Sequence, residues 1–237
     1  MNMTEKNIRA PEPRVVRLKF IKVGALQYIS HLDLQRTMAR VLARSRIPVW
    51  YTEGFNPHIK LVFAAPLAVG VESVCEFLDI RVTGEIPCGE IVRRLNDELT
   101  DELRVVEAYY PDTKFSEIAA ADYVYKIKTA GAGEELASKI KKYLTTPPVM
   151  VTRKTKSGEQ EIDIAKIISR LEVSFSEAEG IVEMSARLPA GSSLSISPEL
   201  PIDALRAGGL ILAGDITEEG YSILRTRLLF ADGREFW

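Results

Sequence analysis

A chain of 237 residues with 46% hydrophobic and 27% charged side chains holds enough apolar material for one or two packed domains, which excludes disorder of the whole. No apolar run approaches the roughly 18 to 20 residues that span a bilayer, and residues 1–6 contain no hydrophobic signal core, so a cytoplasmic protein with no membrane partner is expected. The formal net charge of -2 hides an asymmetry: residues 1–60 carry eleven Lys/Arg against four Asp/Glu, a net +7, whereas residues 61–110 carry four against ten, a net -6.

Residues 15–23 (VVRLKFIKV) alternate apolar and basic side chains, the pattern of a strand with one buried face. A helix is predicted over residues 30–45. Ser30 is a good N-cap, and Asp33 at the third helical position favours the positive end of the dipole, as in a capping box with Asp in place of Glu. Leu34, Met38, Val41 and Leu42 have the spacing of a core-facing stripe. Arg36, Arg40 and Arg44 recur every four residues on a different stripe, which makes either a solvated face or an anion-binding surface. Residues 48–51 are short and strand-like, a turn follows at Gly54-Phe55-Asn56-Pro57, and residues 60–64 and 74–82 read as strands joined through residues 66–70. An amphipathic helix at 88–99 leads to a strand at 103–109. The order β-α-β-β-α-β is the split βαβ, or ferredoxin-like, arrangement.

Residues 111–121 read as a linker, after which a comparable order restarts. A strand at 123–129 and a helix at 134–144 precede a hairpin of 149–154 with 159–164 across Lys156-Ser157-Gly158. Strands at 167–175 and 181–188 pair, a short helix occupies 201–207, and a long strand at 221–230 closes the chain. The expected fold is α+β: tandem ferredoxin-like units, the second more strand-rich, with a first domain over residues 14–110 and a second α+β domain over 122–237. No residue-level repeat links the halves.

Both histidines fall in one polar block, Tyr28-Ile-Ser-His31-Leu-Asp33-Leu-Gln-Arg36 followed by Tyr51-Thr-Glu53-Gly54-Phe55-Asn56-Pro57-His58-Ile-Lys60. In a split βαβ order the start of the first helix and the loops around the second and third strands come close, which is expected to bring His31 near the 54–60 turn. Gly54 permits positive φ, and Asn56-Pro57 favours a turn that presents its flanking side chains rigidly. An anion site then follows from His31 and the helix-start amides, with Arg36 and Lys60 supplying charge. The plainer alternative is that Ser30, His31 and Asp33 only cap the helix and that His58 bonds its own turn.

Three chemistries can be set against these residues. His31, Asp33, Glu53 and His58 could supply metal ligands, but no HxH, HExxH or paired-carboxylate spacing is present, so no metal or other cofactor is expected. Ser30 lacks a nucleophile elbow. Cys75 and Cys88 lack a Cys-His signature, are too few for a zinc or iron-sulfur site, and read as buried or neutral thiols. General acid-base cleavage of RNA by His31, with Tyr51 or Lys60 steadying the phosphate, is permitted without being demanded. Gly70-Val-Glu72-Ser-Val lacks the ending of a P-loop and no GxGxxG occurs. The run Arg153-Lys154-Thr-Lys156 sits at a hairpin tip that could touch phosphates but reads more simply as solvated, and Trp50, Tyr51 and Phe55 could stack on bases but read more simply as a small core cluster.

The strings SHLDLQR, YTEGFNPHIK and PLAVGVES resemble the radical-SAM-associated proteins, a bacterial family formally classed as a domain of unknown function. The resemblance is close from Val16 to about Tyr109 and weaker through Glu161-Ile-Asp-Ile164 and Arg225-Thr-Arg-Leu228. In that family the domain lies beside, or is fused to, a radical SAM protein with a cobalamin-binding-type region, so the resemblance implies a radical SAM partner. It transfers no catalytic residue, and this chain lacks the CxxxCxxC cluster motif. The leading expectation is a non-catalytic accessory protein that binds RNA or another phosphate-bearing ligand and serves a radical SAM modification enzyme. Its recognition surface would be His31, Arg36, Arg40, Tyr51, Asn56, His58 and Lys60. The rivals are a metal-independent RNA endonuclease of ferredoxin-like type with His31 as general acid or base, and a protein-binding scaffold whose basic helix docks on an acidic partner.

Overall fold

The computed structural model describes residues 12–155, 158–192, 194–215 and 217–237. Strand β1 (Arg14–Lys22) buries Val16, Leu18 and Phe20, one face of its alternating pattern. Helix α1 (His31–Arg44) follows, capped as predicted by Ser30, and buries Leu34, Met38, Val41 and Leu42 while Arg36, Arg40 and Arg44 stay exposed. A two-residue strand β2 (Val62–Phe63), a long strand β3 (Val71–Val82), helix α2 (Cys88–Asn96) and strand β4 (Leu103–Tyr109) complete the first half. The second half runs β5 (Ile118–Lys128), α3 (Glu134–Thr145), β6 (Met150–Thr155), β7 (Gly158–Asp163), β8 (Ser169–Ser176), β9 (Ile181–Pro189), α4 (Leu200–Ala207) and β10 (Gly220–Phe230).

Among the described residues the strands form one sheet in the order β4-β1-β3-β10-β5-β9-β8, with β2 on β3 and with β6 and β7 apart as a hairpin. Every pairing in it is antiparallel except that of β3 with β10. Among the described residues the architecture is thus mixed α+β, four helices with one mostly antiparallel eight-stranded sheet to which both halves of the chain contribute and a separate two-stranded hairpin.

Three local expectations give way to edge competition. The outer edge of β3 is shared by β10, at Val71, Glu72 and Ser73, and by β2, at Leu78 and Asp79, so the strand expected at 60–64 shrinks to two residues. Residues 48–51 form no strand and contribute only the isolated bridges Val49 to Val82 and Tyr51 to Ile59. The expected linker at 111–121 holds a 3-10 turn, Phe115–Glu117, and the beginning of β5, because Ile118 is drawn into pairing opposite Phe230.

The joint between β3 and β10 carries a row of buried polar side chains. The register places Lys22 opposite Ser73, Ser73 opposite Arg225 and Arg225 opposite Tyr123, and all four are buried. Because paired positions share a face, the row lies on the same face as Phe20 and Glu76, which the β1–β3 bulge keeps in phase. Arg225, 1% exposed, donates from Nη2 to Glu76 Oε1 at 2.5 Å, from Nη1 to the Ala65 carbonyl at 2.6 Å and from Nε to Ser73 Oγ at 3.4 Å. Lys22 Nζ donates to the Val71 carbonyl at 2.7 Å, and burial holds its ammonium below the usual lysine range. On either side lies an apolar cluster, one built with α1 and α2 on Leu18, Phe20 and Leu78, the other with α3 and α4 on Tyr125, Met184 and Ile223.

A Glu76→Gln variant leaves a guanidinium buried without its counter-charge and is expected to lose about 3 to 5 kcal/mol of unfolding free energy in a denaturant titration. The double variant Glu76→Leu, Arg225→Met, which removes both charges, should recover most of that loss. Equal stability of Glu76→Gln and the native chain would show that the pair does not hold the joint.

Candidate functional site

The start of α1 is closed by its own side chains. Ser30 Oγ accepts from the Asp33 amide at 3.1 Å and donates to Asp33 Oδ2 at 2.7 Å, while Arg36 Nη1 donates to Asp33 Oδ1 at 3.2 Å. The Ser30 hydroxyl, and after it Arg36, hold the Asp33 carboxyl below the usual carboxylate range. Asp33 therefore supplies the negative charge that the helix N-terminus attracts. His31 is half-buried. Its ring stands edge-on to Phe63 with centroids 5.2 Å apart, Phe63 in turn meets Phe20 at 6.2 Å, and Gln35 Nε2 donates to His31 Nε2 at 3.1 Å. An amide nitrogen only donates, so His31 Nε2 accepts.

The 51–60 segment folds back on itself as a short hairpin. The Thr52 amide donates to the His58 carbonyl at 2.9 Å, the His58 amide donates to Thr52 Oγ1 at 3.1 Å, and Tyr51 bridges Ile59. His58 Nδ1 lies 3.1 Å from Thr52 Oγ1 and 3.2 Å from the Asn56 carbonyl, so this nitrogen is taken up within the hairpin and Nε2 is left for outside partners. Gly54, at φ +122, makes the reversal that a side chain would disfavour. Tyr51 and Phe55 are exposed, Phe55 fully, which corrects their reading as core; Trp50 is half-buried with the Arg81 guanidinium 5.2 Å from its ring. The hairpin turns its aromatic tip outward because its base is spent on the Thr52–His58 bonds and the Tyr51–Ile59 bridge.

Between this hairpin and α1 lies an open depression of about 320 Å³, lined by apolar Leu32, Ala39, Ile59 and Leu61 and by polar Gln35, Arg36, His58 and Lys60. The fold thus brings Arg36, His58 and Lys60 together, and no carboxylate lines the space. His31 stands behind it, reached through Gln35. Arg40, Tyr51 and Asn56 are exposed nearby but do not line it. Lys60 and Arg40 make no ion pair among the described residues, and Arg36 meets only exposed Asp33, a pairing worth little in water. Gln35 and Phe63 were not among the predicted site residues, although Gln35 stands four residues after His31, the spacing at which helical side chains meet.

The remaining nucleophile candidates are quiet. Burial pushes the Cys75 thiol up to about 11 and also raises that of partly buried Cys88, so neither offers a thiolate at neutral pH. Among the described residues no group of His, Cys, Asp or Glu is arranged to hold a metal ion, and no helix is long and apolar enough to cross a membrane.

Residues 15–198 match the family described as "Uncharacterized protein conserved in bacteria (DUF2344)". No curated protein matches the chain. Among solved structures, a protein of unknown function from Galdieria sulphuraria aligns over 90% of this chain and 96% of its own at 11% identity with a TM-score of 0.26. DyPB from Rhodococcus jostii RHA1 aligns over 92% and 94% at 10% identity with a TM-score of 0.20. Superpositions this poor carry no inference about fold or activity.

Thr52→Val removes both contacts of the Thr52 hydroxyl with His58, at its amide and at Nδ1. The expected result is about 1 kcal/mol less protection of the His58 amide, roughly five-fold faster hydrogen exchange there, with the exchange of β1 and β3 amides unchanged.

Proposed function

We propose that this chain, which belongs to the bacterial family of uncharacterized proteins DUF2344, is an accessory protein that holds a phosphate of RNA at the depression between α1 and the 51–60 hairpin. It would serve a radical SAM modification enzyme in the cytoplasm without performing that chemistry itself. The observation that carries the phosphate reading is the set of Arg36, His58 and Lys60 with no carboxylate among the lining residues. Lys60 supplies a charge not neutralised by a neighbour, Arg36 a planar set of donors, and His58 a ring nitrogen, Nε2, able to hydrogen-bond an outside partner. Arg40 on the next turn of α1 extends the basic stripe along the path of a strand. RNA is favoured over a small phosphate because the site is shallow and is flanked by the exposed rings of Tyr51 and Phe55, on which unpaired bases stack.

The sequence resemblance, and nothing in the geometry, supports the radical SAM partner. The strand orders support reading the halves as two ferredoxin-like units fused edge to edge: β4-β1-β3 with β2 outermost in one, β10-β5-β9-β8 in the other. On that reading the β6–β7 hairpin is an insertion into the second unit. A nuclease using His31 would need that ring in the depression, and its Nε2 is engaged by Gln35 instead.

Binding of a labelled single-stranded RNA to the full chain should weaken steeply with salt. Arg36→Ala, Arg40→Ala and Lys60→Ala should each lower the slope of log affinity against log salt by about 0.7. A flat salt dependence, or slopes unmoved by the three variants, would sink the phosphate reading. Absence of a radical SAM protein among the partners recovered with the chain from its native host would sink the accessory role.

A further inference from the structure

A second and deeper space opens where the two halves of the sheet meet, a cavity of about 570 Å³ whose floor is Tyr123 and Arg225. One wall is the Ala65-Pro66-Leu67-Ala68 loop that leads into β3, and the opposite wall is Ser195-Ile196-Ser197-Pro198 before α4. Thr152 and Arg153 of β6 and Asp203 of α4 stand at its rim, so Arg153 faces a cavity instead of ending a solvated hairpin; Lys156 of the same basic run lies outside the described residues. The volume falls within the 300 to 1,000 Å³ usual for small-molecule sites.

The lining chemistry selects the occupant. Arg225 is matched to Glu76, so its guanidinium does not call for an anion, and the Asp203 carboxylate at the rim repels one. Hydroxyls of Tyr123, Ser195 and Ser197 donate and accept, the Asp203 carboxylate accepts, and Arg153 donates. Pro66, Leu67, Ile196 and Pro198 supply flat aliphatic walls. A neutral planar group with a polar edge satisfies these surfaces, which is the description of a nucleobase. The backbone at Ala65 is held in the left-handed region, φ +38, by the bond from Arg225 to its carbonyl, so the floor and one wall are locked together.

The cavity is tied to the depression by the chain itself. Residues 58–61 line the depression, β2 follows, and residues 65–68 line the cavity. From Leu61 to Ala65 an extended chain spans roughly 13 Å, a short step for a single strand. We propose that this cavity takes one unstacked nucleobase of the same RNA strand whose phosphate is held by Arg36, His58 and Lys60. The inference rests on the RNA reading above for its source of the base, and only for that.

The test separates the source from the pocket. Each of the four ribonucleosides, free and in solution, is titrated into the full chain by calorimetry, and a labelled single-stranded RNA is titrated in parallel. Expected are binding of at least one free nucleoside, its loss by ten-fold or more in Ala68→Trp, which plugs the cavity from an exposed position, and no change in Lys60→Ala. RNA affinity should also fall about ten-fold in Ala68→Trp with the salt slope unchanged. Asp203→Asn, an exposed isosteric change that leaves the packing alone, should alter which nucleoside binds best and guards against misfolding of the plugged variant. If no nucleoside binds and Ala68→Trp leaves RNA affinity intact, the base pocket is wrong while the phosphate site stands. If a nucleoside binds and is blocked by the plug but RNA does not bind, the pocket stands for free nucleosides and the strand reading fails.

Discussion

The parallel seam between β3 and β10 is the constraint from which the rest of this molecule follows. Only three residue pairs join the strands there, yet the joint is buried and carries Lys22, Ser73, Glu76 and Arg225. A guanidinium taken out of water is tolerable only with its counter-charge and its hydrogen bonds in place, and Arg225 finds them in Glu76, Ser73 and the Ala65 carbonyl. Sliding β10 by one residue would turn Arg225 to the opposite face and break all three. The polar row therefore sharpens the register in which two apolar clusters meet, because a two-residue slip, which would keep the same apolar face inward, would still pull Arg225 away from Glu76, Ser73 and the Ala65 carbonyl.

That register also decides what the segment after His58 can do. With β10 on the first residues of β3, β2 is confined to two residues farther along the same edge, and the chain on either side of it is left as loop. The loop before β2 forms a wall of the depression and the loop after it a wall of the cavity. Phe63 in β2 anchors both, since it packs between Phe20 of the core and the imidazole of His31 at the start of α1.

The sequence foretold structure where a decision was local. Ser30 caps α1 because its hydroxyl reaches the Asp33 amide within one turn, and the Leu34, Met38, Val41 and Leu42 stripe finds the core because its spacing allows nothing else. Long alternating runs such as β1 and β9 likewise emerged close to their expected bounds. It failed where neighbours compete for one edge, as at residues 48–51 and 60–64, and where an apolar residue is spent on the surface. Phe55 looks like core by composition, yet the Thr52–His58 bonds and Gly54 turn it outward. The candidate site was legible in part: Arg36, His58 and Lys60 do converge, while His31 is drawn back by Gln35 and Phe63, contacts no spacing rule ranks above solvent.

What the residues determined unaided was membership in an α+β class, the element order, the basic bias of the first sixty residues and the block that carries both histidines. Each of these depends on period, capping or charge counted along the chain, quantities that need no knowledge of distant partners. The tertiary structure alone decided that the two halves share a sheet, that the charges of Arg225 and Glu76 meet although 149 residues separate them, and that a cavity opens above them. Those outcomes turn on desolvation and on which strand occupies which edge, and both are settled only when the whole chain competes for the same space.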